Sequence, residues 1–276
     1  MDTQSLTLCL GPMVPHRSAI SAEHVRSLVD AAAVAGFDSA EFWVNHHDWA
    51  VADGMSSEEF FECFTERGLS MVAAELTDKW LTTDRAAVAR DNEHSLEIAQ
   101  RAGARSIIAV GREFPSFEVA STGLGHLCDL AAERGLGVTL EMIPFGGVPN
   151  IATVARIFEQ VDRDNLGLCL DVWHWHRQRG GPDYETLRAI PPERIHIFQL
   201  DDAAPEPADD LLVETLTARL LPDEGVAEIP RLLDVLDEMG ASPVIATEVF
   251  SSSLAALEPA ENARRQYAAM RAALGD

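Results

Sequence analysis

The chain has 276 residues, 47% of them apolar and 24% charged, a balance that supplies a sizeable core and excludes a disordered polymer. Its 21 lysines and arginines against 45 aspartates and glutamates give a formal net charge of −24, which repels phosphate backbones and anionic lipid and sets nucleic acid and membranes aside as partners. The acid surplus also has a plainer reading, a solubility coat of surface carboxylates.

The opening MDTQSLTLCLG carries an acid where a secretory leader needs positive charge. No apolar run reaches the roughly 18 to 20 residues that span a bilayer, so a cytoplasmic protein is expected. Within that opening, LTLCLG (6–11) reads as the first strand, and SAEHVRSLVDAAAVAG follows as a helix with Ser21 as N-cap, Glu23 in its first turn and Gly36 as its stop. The intervening GPMVPHRS is no Gly-rich phosphate turn.

Further strands are predicted at SAEFWV (39–44), SMVAAEL (70–76), SIIAVG (106–111), GVTLEMI (137–143), LGLCLDV (166–172), IHIFQL (195–200) and PVIATEVF (243–250). Helical periods separate them, as in IPRLLDVLDEMG with Ile229, Leu232, Leu233 and Leu236 on one face, and in a last helix striped by Ala263, Tyr267, Met270 and Leu274. Eight apolar strands alternating with amphipathic helices predict an α/β fold, a (β/α)8 TIM barrel, as one domain over 1–276. The four cysteines, Cys9, Cys63, Cys128 and Cys169, show no CxxC spacing and imply no disulfide framework.

Active sites of such barrels lie at the carboxyl ends of the strands. There Glu141 closes strand five, Asp171 strand six, Gln199 strand seven and Glu248 strand eight. Taken singly, each is more often a solvated terminus or a helix-cap partner than a ligand. Together they bring three carboxylates into one small volume, where a divalent metal is the economical neutraliser, and oxygen donors suit Mn²⁺, Mg²⁺ or Co²⁺, with Zn²⁺ also admitted. His174, three residues after Asp171, is expected on a loop above the ion as a proton carrier or hydrogen-bond partner, the alternative being a histidine that caps the next helix. His174 and His176 spell HxH, a weak zinc signal without further ligands. His46 and His47 end strand two, and either line the mouth or form an exposed loop pair.

The segments LEMIPFGG, LDVWHWHRQRGG, IHIFQLDDA, RLLPDEG and IATEVFS resemble, in order and over nearly the whole chain, the sugar phosphate isomerase/epimerase group of the xylose-isomerase-like barrel superfamily. The resemblance implies one divalent metal on Glu141, Asp171, Gln199 and Glu248. Gln199 is similar to the third ligand of hydroxypyruvate isomerases and 3-dehydroshikimate dehydratases, where ketose 3-epimerases have His. The Asp171/His174 pair followed by Arg219 also resembles the dehydratases, in which the corresponding His acts as base and the Arg holds substrate. RLLPDEG departs from the family at Asp223, where Gly is usual. The related abasic-site endonucleases gather extra ligands on earlier strands; Glu41 and Glu75 close strands two and three here, but GPMVP offers none on strand one.

These readings assign Glu141, Glu248 and His174 to catalysis and Arg219, Trp173, Arg177 and His47 to substrate binding. The expected reaction is isomerisation or epimerisation of a keto-sugar or small hydroxy-ketone through an enediolate. A dehydratase of the 3-dehydroshikimate or inosose type is the alternative, and a non-catalytic sugar-binding barrel a second. The loops DDAAPEPADD and SSSLAALEP after strands seven and eight carry neither a Gly-rich turn nor a cation, so a phosphate is not expected there. Arg177, Arg179 and Arg219 suit a carboxylate or pair with the acidic loop. The substrate is expected to be a neutral keto-polyol or a small carboxylated hydroxy-ketone, and the chain a possible homo-oligomer.

Overall fold

A computed structural model describes residues 5–15, 18–113 and 115–275. His16 and Arg17 of the GPMVPHRS segment lie outside the described residues. Eight strands, β1 (Leu6–Cys9), β2 (Ser39–Trp43), β3 (Ser70–Thr77), β4 (Ser106–Val110), β5 (Gly137–Glu141), β6 (Leu166–Asp171), β7 (Ile195–Leu200) and β8 (Val244–Thr247), close in sequence order into one barrel. Every neighbouring pair is parallel, including β1 with β8. The closed (β/α)8 barrel is the fold the alternation predicts.

The first helix, Ala22–Ala35, begins where its sequence says it should: Ser21 accepts the His24 amide at 3.1 Å, and Gly36 ends it at φ 106°. The last, Pro259–Ala273, buries polar side chains that an apolar stripe does not reveal. Gln266 accepts from Thr247 Oγ1 at 3.0 Å and donates to Asn262 of its own helix at 2.8 Å, so the helix is pinned to β8 by a buried hydrogen bond as well as packing. Two helices start without a turn after their strands, Val44–Ala52 after β2 and Val172–Arg177 after β6. His46, His47 and His174 are therefore helical, and all three are buried, rather than loop residues.

The main core fills the space between barrel and helices, while Ala73, Ile108, Cys169, Ile197 and Ala246 form a small separate cluster. All four cysteines are free and buried. Among the described residues no helix is long and apolar enough to cross a membrane.

Candidate active site

Side chains two apart on a strand share a face. Glu75, Asp171, Gln199 and Glu248 each stand two positions after a member of the small cluster, namely Ala73, Cys169, Ile197 and Ala246. That cluster is thus the layer beneath the mouth, and the polar residues form the next layer up. Above them opens a cavity of about 660 Å³ whose inner wall includes Trp43, Glu75, Glu141, His174, Arg219 and Glu248.

Arg219 organises this layer. Its Nη1 donates to Asp171 Oδ2 at 2.7 Å, Asp201 Oδ2 at 2.7 Å, Glu248 Oε2 at 3.1 Å and the Glu248 carbonyl at 3.0 Å. Nε and Nη2 reach Thr215 Oγ1 at 3.1 and 2.8 Å. Burial alone would lower its pKa, but the charges of Asp171, Asp201, Glu248 and Glu141 reverse that and raise it, so the guanidinium stays charged. The chain on either side is fixed too, through bridges from Leu220 to Asp202 and from Ala218 to Ser251.

Asp202 shapes the RLLPDEG loop by accepting the amides of Ala203 at 2.7 Å and of Gly225 and Ala227 at 2.9 Å each. A Cβ at Gly225 would stand 2.2 Å from the Ala203 carbonyl oxygen, so only glycine fits. Asp223 takes φ 69°, the left-handed region that favours glycine. The departure from the usual Gly therefore leaves the loop in a glycine-like conformation.

His174 touches both halves of the site. Asp171 Oδ1 accepts its amide at 2.7 Å, which makes the aspartate a helix N-cap as well as an Arg219 partner. The ring Nε2 lies 3.3 Å from Glu141 Oε1 and 3.2 Å from Arg219 Nη2, while Nδ1 is buried without a hydrogen-bond partner. On the far side, Glu75 accepts the Cys9 thiol at 3.0 Å and the Trp43 indole N–H at 2.8 Å. Gly11 makes room for that indole, since a Cβ there would come within 2.5 Å of it.

A family model described as Xylose isomerase-like TIM barrel matches residues 29–273. The chain belongs to this family. The inosose isomerase of Bacillus subtilis strain 168 is 32% identical over 129 residues, 46% of this chain and 45% of that protein, so the chain spans under half the length of this relative. The inosose isomerase of Bacillus velezensis is 25% identical over 222 residues, 77% of this chain and 71% of that protein. Among solved structures, an IolI protein with a bound zinc atom superposes at a TM-score of 0.81 with 20% identity, covering 98% of both chains, a likeness of fold.

Glu141, Asp171 and His174 place donor atoms within 4.8 Å of one another. Among the described residues Glu248 is in no such trio, and it meets Asp171 through their shared partner, Arg219 Nη1. Gln199 faces differently: its Oε1 accepts the Cys169 thiol at 3.0 Å and its Nε2 donates to Glu41 at 3.0 Å. Among the described residues, no metal-capable trio contains His176.

Charge supports a cation here. Glu41, Glu75, Glu141, Asp171, Asp201 and Glu248 are all buried, against the single guanidinium of Arg219. Burial pushes Glu75 up to about 7. Burial and then the Glu75 charge push Glu41 and Glu248 well up, and burial and then Asp171 do the same to Asp201. Glu41 Oε1 is buried with no hydrogen-bond partner. This surplus of desolvated acid fits a divalent ion.

Three expected substrate-binding residues do not line the cavity. Trp173 donates its indole N–H to Glu214 Oε1 at 3.1 Å, and Arg177 donates Nε to the same oxygen at 2.9 Å and Nη2 to the Ala204 carbonyl at 2.6 Å. Glu214 draws both away from the mouth. His47 is held by Asp48 Oδ1 at 3.0 Å and Ser57 Oγ at 2.7 Å, with Phe60 and Phe61 against its ring. Arg219 does reach the cavity wall, but with its donors already engaged. Sequence reasoning missed Asp201, Thr215 and Glu214. Asp201 carries a readable signal, lying two residues after Gln199 and so on the same strand face.

Proposed function

We propose that this chain is a divalent-metal-dependent isomerase or epimerase acting on a neutral keto-polyol of the inosose kind, by moving a proton at the carbon beside a carbonyl. The observation that carries this reading is the pairing of Glu141 and Glu248 on the wall of one cavity, with His174 and Arg219 between them. The inosose isomerases among its relatives point to the same substrate class. Glu141, Asp171, Gln199 and Glu248 would hold the ion, with Gln199 giving up its contact with the Cys169 thiol. Once bound, the ion supplies Lewis-acid polarisation of a substrate carbonyl and its neighbouring hydroxyl.

The chain's own residues do the rest. Glu141 and Glu248 are the groups that take and return the proton, and His174 Nε2, 3.3 Å from Glu141, can pass it onward. Arg219 stays charged and fixes Asp171 and Glu248 in place. The cavity's arginines, Arg219 and Arg112, are both already bonded to carboxylates, Arg112 to Asp78 at 2.7 Å. This favours an uncharged polyol over a carboxylated substrate.

Incubation of the Mn²⁺-loaded protein with an inosose in ²H₂O tests the reading. Deuterium is expected at the carbon next to the carbonyl, lost in Glu141→Gln and Glu248→Gln by roughly 10² to 10⁴ in rate. Absence of exchange across inososes and ketoses would overturn it. The contact between His174 and Arg219 favours a dehydratase as second reading; loss of water with growth of conjugated-carbonyl absorbance would select it. Binding without either change would leave a sugar-binding barrel.

A further inference from the structure

Single exposed apolar side chains are ordinary, but several gathered around one concavity mark a place where something apolar binds. Among the described residues the large exposed apolar side chains are Val34, Val51, Leu76, Phe145, Leu212, Val213 and Val226. Three of the seven, Leu76 (39% exposed), Phe145 (37%) and Leu212 (45%), line the same cavity as the candidate catalytic groups. They come from distant parts of the chain: the end of β3, the segment after β5 and the helix Leu211–Thr217 between β7 and β8. Ile143, Leu216 and Phe250 continue the apolar surface inward.

The cavity therefore has two chemistries. Its inner wall carries Glu75, Glu141, His174, Arg219 and Glu248, and its outer wall is an apolar collar of Leu76, Phe145 and Leu212 interrupted by the polar Asp48, His94 and Arg112. At about 660 Å³ it sits within the range of about 300 to 1,000 Å³ that takes drug-sized ligands. A free cyclitol satisfies the inner wall and leaves Leu76, Phe145 and Leu212 without an apolar partner. A sugar with an apolar substituent matches both walls at once.

We propose that the collar is a subsite for an apolar, aromatic-sized substituent on the sugar. The substrate is then a glycoside-like keto-sugar whose polyol end meets the inner wall while its substituent lies on Leu76, Phe145 and Leu212. The proposal rests on reading the inner wall as the reactive end. The collar walls a concave space rather than a flat face, which suits a small molecule better than a second protein.

Calorimetric titration of the Mn²⁺-loaded protein with phenyl and methyl β-D-glucopyranoside tests it; neither probe has a carbonyl, so turnover plays no part. The phenyl glucoside is expected to bind at least about tenfold tighter, consistent with removing one aromatic ring from water. Phe145→Ser and Leu212→Ser should each cut the phenyl-to-methyl ratio at least about threefold, with thermal melts confirming that these exposed positions leave folding intact. A ratio within about twofold, a ratio that survives both substitutions, or binding of neither glucoside would overturn the proposal. Deuterium exchange with an inosose separates the two readings: exchange without phenyl preference sinks the collar alone, and phenyl preference without exchange sinks the reaction alone.

Discussion

Arg219 Nη1 stands 2.7 Å from Asp171 Oδ2, and the pair is 3% and 0% exposed. The same nitrogen holds Asp201 and Glu248, so one guanidinium ties together the ends of β6, β7 and β8.

Arg219→Ala would strand three buried carboxylates. Breaking a buried pair from one side typically costs about 3 to 5 kcal/mol, and a loss of that order is expected in urea denaturation of the metal-free protein. A loss under about 1 kcal/mol, the usual worth of an exposed pair, would show that the guanidinium does not organise the mouth.

Removing the ion should lower stability as well as turnover. Chelation is expected to reduce the melting temperature, and readdition of Mn²⁺ at about 100 times its dissociation constant to restore about 2.7 kcal/mol. Glu141→Gln should weaken that recovery. A melting curve indifferent to chelator, with no ion retained on gel filtration, would count against a metal at this site.

His46 supplies a pH dependence away from the acidic layer. Burial, and then the nearby His24 charge, lower its pKa from 6.5 to about 3. The unfolded chain therefore binds this proton first on acidification, and the stability contributed by neutral His46 is complete above about pH 6.5 and is lost as pH falls towards about 3. Denaturant midpoints between those values should slope less in His46→Gln than in the parent. Identical slopes would show that the histidine titrates normally in the folded protein.

Asp223→Gly should stabilise the RLLPDEG loop. A non-glycine residue at φ 69° carries a left-handed penalty of about 1 to 2 kcal/mol, partly offset by about 0.4 to 1 kcal/mol of extra unfolded-state freedom for glycine. A net gain of about 0 to 1.6 kcal/mol in urea denaturation is the expectation. Destabilisation would mean that the aspartate side chain contributes more than its backbone costs.

The barrel was legible because strand and helix periods are local properties, and the strand-end positions of Glu141, Asp171, Gln199 and Glu248 were legible because each terminates an apolar run. What the sequence could not show was who pairs with whom. Arg177 looks like a substrate cation until Glu214, 37 positions away, takes it. His47 reads as a mouth residue or one of an exposed loop pair because nothing at Trp43 and Val44 signals that a helix starts at once. Asp171 and His174 share the spacing of an N-cap, and the cap is real alongside the Arg219 contact. Gln199 occupies the expected place with its carbonyl on Cys169, an orientation that no single-strand pattern encodes.

The quintet of Ala73, Ile108, Cys169, Ile197 and Ala246 under the mouth, each at most 2% exposed, gives the protein a foundation closed to solvent. An added methyl group or two at position 73 or 246, both fully buried, would strain the layer on which Glu75 and Glu248 stand two residues further on. Drift in this hidden storey would therefore reach the chemistry before it reached the fold, and laboratory efforts to retune the reaction have as much to work with one floor down as among the carboxylates themselves.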